Sequence, residues 1–240
     1  MPKWISYPEV NSTSQIWFRQ MYITDLRPTL ANINITTTGQ IELYVNGYNV
    51  STDTRLPYRE YNDRDKPICI SFNVTRFLRN DSNTIAVWYS PSYPHINSRQ
   101  ISLNYSGTMP DGENFSYNAN DEWICRKANI SLTTDGEEEF TSPSNDAVWN
   151  SPEYEPACWI RARQQNNEAT TSILDYASFY KSRRITRIIH PKYHRISQDS
   201  IQYKFGSAFQ GYVRITLRGA KKSEKIDIDG LKYTCNGDID

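Results

Sequence analysis

Apolar and polar residues alternate with a period of two over much of this chain, and this pattern constrains the fold more than any other feature. The run Ile41–Val45 alternates in this way, Asn46-Gly47 follows at once, and Tyr48 and Val50 resume the pattern. Asn-Gly between two alternating runs is a strong signal for a tight β-hairpin, because both residues accept the positive φ angles that such a turn requires. The sequence therefore predicts antiparallel strands at this point.

Further alternating runs follow the same rule along the first half of the chain: Ile33–Ile35, Ile68–Val74, Ile85–Tyr89, Ile101–Tyr105 and Phe115–Tyr117. Asp111-Gly112 predicts the turn before the last of these runs, and Arg76–Arg79 predicts a single helical turn. Many short strands separated by turn residues are typical of an antiparallel β-sandwich. The predicted fold class is all-β, with an antiparallel β-sandwich at residues 1–165.

The character of the sequence changes after Trp159. Gln164–Glu168 is polar and predicts a linker over residues 166–184, in which Thr171 or Ser172 could cap a short helix that runs to about Lys181. Residues 185–240 carry a second set of alternating runs, at Ile201–Phe205, Val213–Leu217 and Ile226–Ile228. Four or five short strands there predict a second, smaller β-sandwich or a partial one.

Charge and hydropathy exclude several classes of partner. Lys plus Arg equals Asp plus Glu, 27 against 27, which gives no electrostatic case for nucleic acid or an anionic membrane. The sequence has no stretch of eighteen apolar residues, so it predicts no transmembrane helix. Met1–Pro8 lacks the apolar region of a signal peptide. The chain is therefore either cytoplasmic, or periplasmic or extracellular after removal of a signal, and the sequence leaves both open.

Cysteine and histidine spacing predicts no cofactor and no metal. Cys69, Cys125, Cys158 and Cys235 are far apart and form no CxxC pair, so we interpret them as mostly buried small apolar residues. His190 and His194 are four residues apart, but Pro191 between them argues against a shared helical face. No Gly-rich phosphate loop, GxSxG or HExxH motif is present.

Several motifs, in order and across nearly the whole chain, resemble the non-catalytic N-terminal region of the α-L-rhamnosidase family, a galactose-binding-like jelly roll. They are Trp17-Phe18-Arg19, Ile41–Gly47, Leu56-Pro57 with Tyr61 and Arg64, Phe72–Leu78, Asn83–Val87, Asp111-Gly112, Asp121-Glu122-Trp123, Tyr203–Arg214, Leu231-Lys232-Tyr233 and Asn236–Ile239. The chain departs from the family pattern at Lys204, at Ser207-Ala208 and at Gly136–Pro143.

The resemblance implies an accessory role. In the family, an (α/α)₆ helical barrel that holds the catalytic carboxylates follows this region, and this sequence contains no such helices. Glycoside hydrolysis needs two carboxylates that face one bond. We interpret Glu137–Glu139 as an acidic surface turn, and Asp227 and Asp229 as one solvated strand face, so we assign no catalytic residue. Some related modules bind sugar with calcium, but the sequence shows no clear ligand cluster.

Aromatic residues at strand ends are the candidate binding residues. Because Ile85 and Val87 define one strand face, Trp88 lies on the other. Tyr89 to Pro94 then enters a proline-stiffened loop. The predicted carbohydrate-binding residues are Trp88, Tyr89, Tyr93, Tyr58, Arg59 and Tyr61, since sugars present C–H faces to aromatic rings and hydroxyl groups to polar side chains. Alternatively, these aromatics fill the seam between two sheets.

Three hypotheses follow from the sequence. The first is a non-catalytic carbohydrate-binding or accessory module related to α-L-rhamnosidases, with a carbohydrate, for example a rhamnose-containing glycan, and a catalytic domain or subunit as partners. The second is the N-terminal fragment of an α-L-rhamnosidase whose barrel is missing from this chain. The third is a structural interface module without a ligand. The sequence leaves sugar identity, disulfide state and oligomeric state open.

Overall fold

The structure is a computed structural model that describes residues 3–9, 13–51, 55–57, 66–91, 99–133, 138–140, 148–165, 174–175, 187–211 and 213–235. The chain divides into two compact units, Met1–Ser182 and Arg183–Asp240, which are described separately below. Within the described residues, no helix has the length and apolar character needed to cross a bilayer.

Short β-strands dominate the first unit. In chain order they are β1 Trp4–Ser6, β2 Ser14–Thr24, β3 Leu30–Thr37, β4 Gln40–Val45, β5 Tyr48–Asn49, β6 Ile68–Asn73, β7 Asp81–Ser90, β8 Gln100–Thr108, β9 Asn114–Asn118, β10 Ile124–Leu132, β11 Glu138–Phe140, β12 Ile160–Arg161, β13 Arg163–Gln165 and β14 Leu174–Asp175. A single 3-10 turn, Thr75–Phe77, is the helical element of the described part and matches the predicted helical turn.

These strands form two seven-stranded sheets. Sheet A has the order β13-β1-β8-β3-β6-β14, with β9 also paired to β8; sheet B has the order β11-β10-β2-β7-β4-β5, with β12 also paired to β10. All the strand pairs are antiparallel except that of β14 with β6. One hydrophobic cluster contains side chains from both sheets. The predicted antiparallel β-sandwich is therefore confirmed.

The core follows directly from the alternation in the sequence. On β2 and β7, Ile16 and Phe18 lie opposite Tyr89 and Val87, and all four side chains are fully buried between the sheets. Ile33 and Ile35 of β3 supply the facing layer from sheet A. Because strand side chains alternate in direction, the neighbouring residues point to the outer faces of the two sheets.

The predicted Asn46-Gly47 hairpin is formed, and its turn is held from inside the protein. Asn46 and Gly47 have φ angles of 52° and 83°, both in the left-handed region. The amide of Asn46 donates to the carbonyl of Phe77 and to the side-chain oxygen of Asn83, each at 2.9 Å. Asn83 also accepts from the Arg79 backbone N–H at 2.8 Å and donates back to the Arg79 carbonyl at 3.0 Å. This network joins the hairpin to the start of β7.

Near the end of the first unit, the helix predicted within residues 166–184 is wrong where it can be checked. Leu174 and Asp175 form β14, which pairs in parallel with Ile68 and Cys69 of β6. Residues 166–173 and 176–184, the rest of the predicted linker, lie outside the described residues. Strand β6 offers an open edge of sheet A, and pairing with this edge determines the local structure in place of the helix that the sequence favours.

The second unit contains two separate hairpins. They are β15 Lys192–Ser197 with β16 Ser200–Lys204, and β17 Lys225–Ile228 with β18 Leu231–Thr234. The strand predicted at Val213–Leu217 is wrong, since these residues have no regular structure and Val213 is 58% exposed. Alternation favours a strand only where a second layer buries the apolar face, and most apolar side chains described in this unit are exposed.

The cysteines only partly fit their predicted role. Cys125 and Cys235 are buried, Cys69 is half-buried, and Cys158 is exposed with a φ angle of 63°. Burial raises the pKa of the Cys125 thiol to about 12, which makes it an inert core residue.

Replacing Asn83 should destabilise the sandwich strongly. The Asn83→Ala variant leaves the buried amide of Asn46 and the Arg79 backbone short of partners, which should cost about 2–4 kcal/mol. The matched control is Asn118→Ala, because Asn118 is exposed and its bond with Asn104 is also exposed, so that its loss should cost less than about 1 kcal/mol. Urea unfolding measures both. Equal midpoints for the two variants would contradict this account of the hairpin.

Candidate functional site

The outer face of sheet B carries a row of large and charged side chains on four adjacent strands. Trp17 of β2 pairs directly with Trp88 of β7, Arg126 of β10 lies beside Trp17, and Glu42 of β4 lies beside Trp88. The outer faces of most antiparallel sheets are polar and solvated. Here the outer face is built around tryptophan instead.

A stack of tryptophan rings covers the middle of this face. The rings of Trp17 and Trp149 are stacked, with centroids 4.8 Å apart and planes 8° apart. Trp159 lies nearly parallel to both, with its centroid 6.4 Å from Trp17 and 6.2 Å from Trp149. The indole N–H of Trp17 is buried and has no hydrogen-bond partner within the part of the chain that the structure describes. Residues 148–159 bury the part of the outer face around Trp17, which therefore forms a second, smaller core.

Arg19 holds residues 148–159 against the sheet. Arg19 is only 2% exposed, and its guanidinium donates to the backbone carbonyls of Tyr154 at 2.7 Å and Ser151 at 2.9 Å. It also lies 5.5 Å from the centre of the Tyr154 ring. Burial lowers the pKa of Arg19 from its ordinary value. A buried guanidinium needs such carbonyl partners, because leaving a charge unpaired in the interior is costly.

At the other end of the row, five side chains form what we name the Trp88 patch: Gln15, Glu42, Arg55, Trp88 and Glu138. The Trp88 indole N–H donates to the Gln15 side-chain oxygen at 2.6 Å. The Gln15 amide in turn donates to Glu138 at 3.2 Å. Arg55 is ion-paired with Glu138, its Nε lies 3.9 Å from a Glu42 oxygen, and its guanidinium carbon lies 5.9 Å from the Trp88 ring centre.

Tyr44 anchors the carboxylate of Glu42 in this patch. The Tyr44 hydroxyl donates a hydrogen bond to Glu42, and burial together with this carboxylate raises the pKa of Tyr44 well above its ordinary value. The phenol therefore stays protonated at physiological pH and remains a donor. The carboxylate of Glu42 is consequently held in one position, beside Arg55.

Solvent reaches the Trp88 patch. Trp88 is half-buried, and its side chain points away from the core that contains Ile85 and Val87. The side chains of Arg55 and Glu138 are 24% and 42% exposed. The patch therefore presents an aromatic ring beside a guanidinium and the Glu138 carboxylate, whereas Glu42 and Gln15 are buried. Such a set can stack on an apolar face and hydrogen-bond to hydroxyl groups.

The predicted site residues fall into two groups. Trp88 is in the patch, whereas Tyr89 is fully buried, its ring lies between the sheets, and its hydroxyl is 3.2 Å from that of Thr38. Tyr89 thus belongs to the core and not to the following loop, because it continues the inward alternation of Ile85 and Val87. Tyr58, Arg59, Tyr61 and Tyr93 lie outside the described residues.

Sequence reasoning missed most of the aromatic face. It did not identify Gln15, Arg55, Trp149 or Trp159. Trp17 could have been found, because it neighbours the inward-facing Phe18 and so must point outward. Trp149 and Trp159 follow no periodic pattern, and only the fold places them on Trp17.

The described residues contain no group of three or more His, Cys, Asp or Glu side chains arranged to hold a metal ion. Glu42 and Glu138 are the two carboxylates of the patch, and both are engaged by Arg55. Among the acidic residues singled out in the sequence, Glu138 and Glu139 lie in β11, while Glu137 lies outside the described residues. Glu138 therefore contributes to the patch and is not part of an isolated acidic turn.

Removing the Arg19 guanidinium should loosen residues 148–159. Arg19→Met keeps most of the apolar stem but leaves two carbonyls unpaired, which should cost about 2–4 kcal/mol and expose the stacked tryptophans. The maximum of tryptophan fluorescence emission should shift to longer wavelength at denaturant concentrations below the unfolding midpoint. Arg161→Met is the control, because Arg161 is exposed and makes only a 3.4 Å bond to the Asp121 carbonyl. An unchanged emission maximum in Arg19→Met would contradict the anchoring role.

No protein-family model and no curated protein matches the chain. Solved structures with a similar fold include three rhamnosidases. An α-L-rhamnosidase from Dictyoglumus thermophilum has a TM-score of 0.68 and 19% identity, covering 85% of this chain and 25% of that chain. The GH78 family rhamnosidase of Bacillus sp. GL1 has a TM-score of 0.57 and 18% identity, covering 72% and 19%. The α-L-rhamnosidase from Aspergillus terreus has a TM-score of 0.54 and 19% identity, covering 69% and 21%.

This chain spans about a quarter of the length of the Dictyoglumus thermophilum chain that it matches. At these identities the likeness concerns the fold, and at that level it confirms the family resemblance predicted from the sequence motifs. The chain has the fold of a β-rich region that occurs within α-L-rhamnosidase chains.

Proposed function

We propose that this chain is a non-catalytic carbohydrate-binding or accessory module of an α-L-rhamnosidase-type protein. The observation that carries the proposal is the unequal coverage, since a rhamnosidase matches 85% of this chain with only 25% of its own length. A region of that size beside a larger enzyme body can hold or position a polysaccharide substrate. The ligand would be a glycan, for example one that contains rhamnose.

The Trp88 patch is the surface that we assign to sugar binding. A pyranose ring has C–H faces that pack on an indole, and hydroxyl groups at its edge that need both donors and acceptors. Arg55 supplies donors, while Glu138 supplies acceptors. Gln15 and Tyr44 fix the orientation of the indole and of one carboxylate before any ligand arrives. This preorganisation lowers the ordering cost of binding.

Tyr58, Arg59, Tyr61 and Tyr93 remain part of the proposed site on sequence grounds. Tyr58 to Tyr61 follow closely on Arg55 in the chain, and Tyr93 follows closely on Trp88. Tyr89 is left out because its ring is buried.

Sugar binding should depend on Trp88. One stacked aromatic contributes about 1 kcal/mol, so a single site should bind L-rhamnose or a rhamnosyl disaccharide with a Kd of about 0.1–1 mM or weaker. Trp88→Ala should weaken binding about fivefold in titration calorimetry, and Arg55→Gln should weaken it several-fold. Tyr48→Ala is the matched control, because Tyr48 is an exposed aromatic of the same sheet outside the patch.

Circular dichroism must show that each variant is folded before its binding is compared. Trp88→Phe, which keeps an aromatic ring, provides a second test if the alanine variant unfolds. Full binding by the folded Trp88→Ala and Arg55→Gln variants would contradict the assignment of the site, and so would full binding by Arg55→Gln where the alanine variant does not fold.

A second function is favoured by the same coverage: the chain would be the N-terminal fragment of an active α-L-rhamnosidase, with its catalytic barrel in another part of the protein. Under both hypotheses the chain alone should not hydrolyse aryl α-L-rhamnosides, because Glu42 and Glu138 are tied to one guanidinium instead of facing each other across a cleft. Turnover by the pure chain that disappears in Glu138→Gln or Glu42→Gln would contradict this expectation.

A further inference from the structure

An open groove lies at one side of the sandwich, away from the Trp88 patch. Strand β2 pairs with β10 only over its first half, so the half from Gln20 to Thr24 has a partner on one side, β7. Among the strands that the structure describes, β9 likewise pairs with β8 alone. Between these two strand edges is a hollow of about 510 Å³, and a second hollow of about 260 Å³ adjoins it and shares Ile23 and Tyr117.

Tyr117 gives the groove an aromatic platform. Its side chain is 44% exposed, and its ring centroid lies 5.2 Å from Tyr22, 5.7 Å from Phe115 and 6.2 Å from Tyr105. Contacts with three rings fix the position of Tyr117 while part of its surface stays open. Burial raises the pKa of the neighbouring Tyr22 to about 12, so its hydroxyl is uncharged at neutral pH.

Polar side chains of both signs surround this platform. The larger hollow is lined by Lys3, Gln20, Asn120 and Glu122 as well as by the tyrosines. Asn120 and Glu122 hold each other, because the Glu122 backbone N–H donates to the Asn120 side-chain oxygen at 3.1 Å and the Asn120 amide lies 3.4 Å from the Glu122 carboxylate. The smaller hollow adds the carboxylates of Asp25 and Glu113.

The charges of the groove restrict its ligand. One lysine faces three carboxylates across the two hollows, so a phosphate-bearing or other anionic ligand is disfavoured. A peptide added as a strand is disfavoured as well. Strand β9 is a short edge of five residues, rich in Asn and Ser, and charged side chains at Lys3, Glu113 and Glu122 flank it. Proteins use short edges and charges of this kind to prevent strand addition.

We propose that this groove is a second saccharide site, which binds a neutral oligosaccharide of about two or three sugar units. Its volume falls within the range of about 300–1,000 Å³ that small-molecule sites occupy. One sugar ring packs on Tyr117, and its hydroxyl groups bond to the Asn120–Glu122 pair and to Lys3. The second hollow continues along β9 and receives the next sugar ring. The site goes beyond the proposed function, since it shares no residue with the Trp88 patch.

Titration of the whole chain with three neutral disaccharides tests this site. The probes are a rhamnosyl-glucose disaccharide, cellobiose and xylobiose, each compared with its monosaccharides by calorimetry and by ¹H–¹⁵N chemical shifts. We expect at least one disaccharide to bind more tightly than its monosaccharides. We expect Tyr117→Ala to weaken that binding about fivefold, which corresponds to the loss of one stacked ring. Glu122→Ala should weaken it several-fold.

Glu122 is exposed, so Glu122→Ala keeps the test valid if Tyr117→Ala fails to fold. Tyr48→Ala is the matched control, and it should bind as the unmodified chain does. Failure of all three disaccharides to bind would overturn the proposal, and so would binding that neither substitution alters. Loss of binding in Trp88→Ala, with full binding in Tyr117→Ala and Glu122→Ala, would support the Trp88 site and overturn the groove as a saccharide site. Shifts confined to β9 backbone amides, insensitive to Tyr117 and Glu122, would indicate an added strand and also overturn it.

Discussion

The pairing of β2 with β7 is the constraint on which the rest of the first unit depends. Nine residue pairs join the two strands, from Ile16 with Tyr89 to Thr24 with Asp81. The register places Phe18 and Val87 together in the core, and the same register then places Trp17 and Trp88 together on the outer face. A shift by one residue would exchange the two faces. Core and candidate site are therefore fixed by one set of backbone hydrogen bonds.

Sheet B is covered on both faces, although only one of them faces sheet A. Residues 148–159 lie on the outer face, where Arg19 and the stack of Trp17 with Trp149 hold them. This explains why Ala86, which points outward, is fully buried. The cover stops short of Trp88, whose ring is only half-buried. The Trp88 patch thus places a partly accessible aromatic ring beside fixed charges.

Much of the sandwich could be predicted because its signals are local. The Asn46-Gly47 turn and the strand runs around Ile33, Ile85 and Ile101 follow from alternation and turn chemistry. The family likeness of the fold is indicated by the resemblance of sequence motifs and not by periodicity. Elements that depend on distant partners could not be predicted. Leu174 becomes a strand only because β6 offers an edge, and Val213 stays irregular because no second layer covers it.

The candidate site shows the same division. Alternation placed Trp88 on the face away from Ile85 and Val87, and the same rule, carried one residue further, would have assigned Tyr89 to the core. Position after a strand and before two prolines made Tyr89 look like a loop residue. Arg55, Gln15 and Glu138 come from three separate segments, so no spacing in the sequence could have joined them to Trp88.

The most direct test of the central claim is an NMR titration that follows the six tryptophan indole N–H signals while L-rhamnose or a rhamnosyl disaccharide is added. If the Trp88 patch binds sugar, the Trp88 indole signal should shift saturably, because its N–H bonds to Gln15 within the patch. The buried Trp17 and Trp149 signals should stay in place. A saturable shift at other tryptophans with none at Trp88, or no shift at any ligand concentration, would contradict the account.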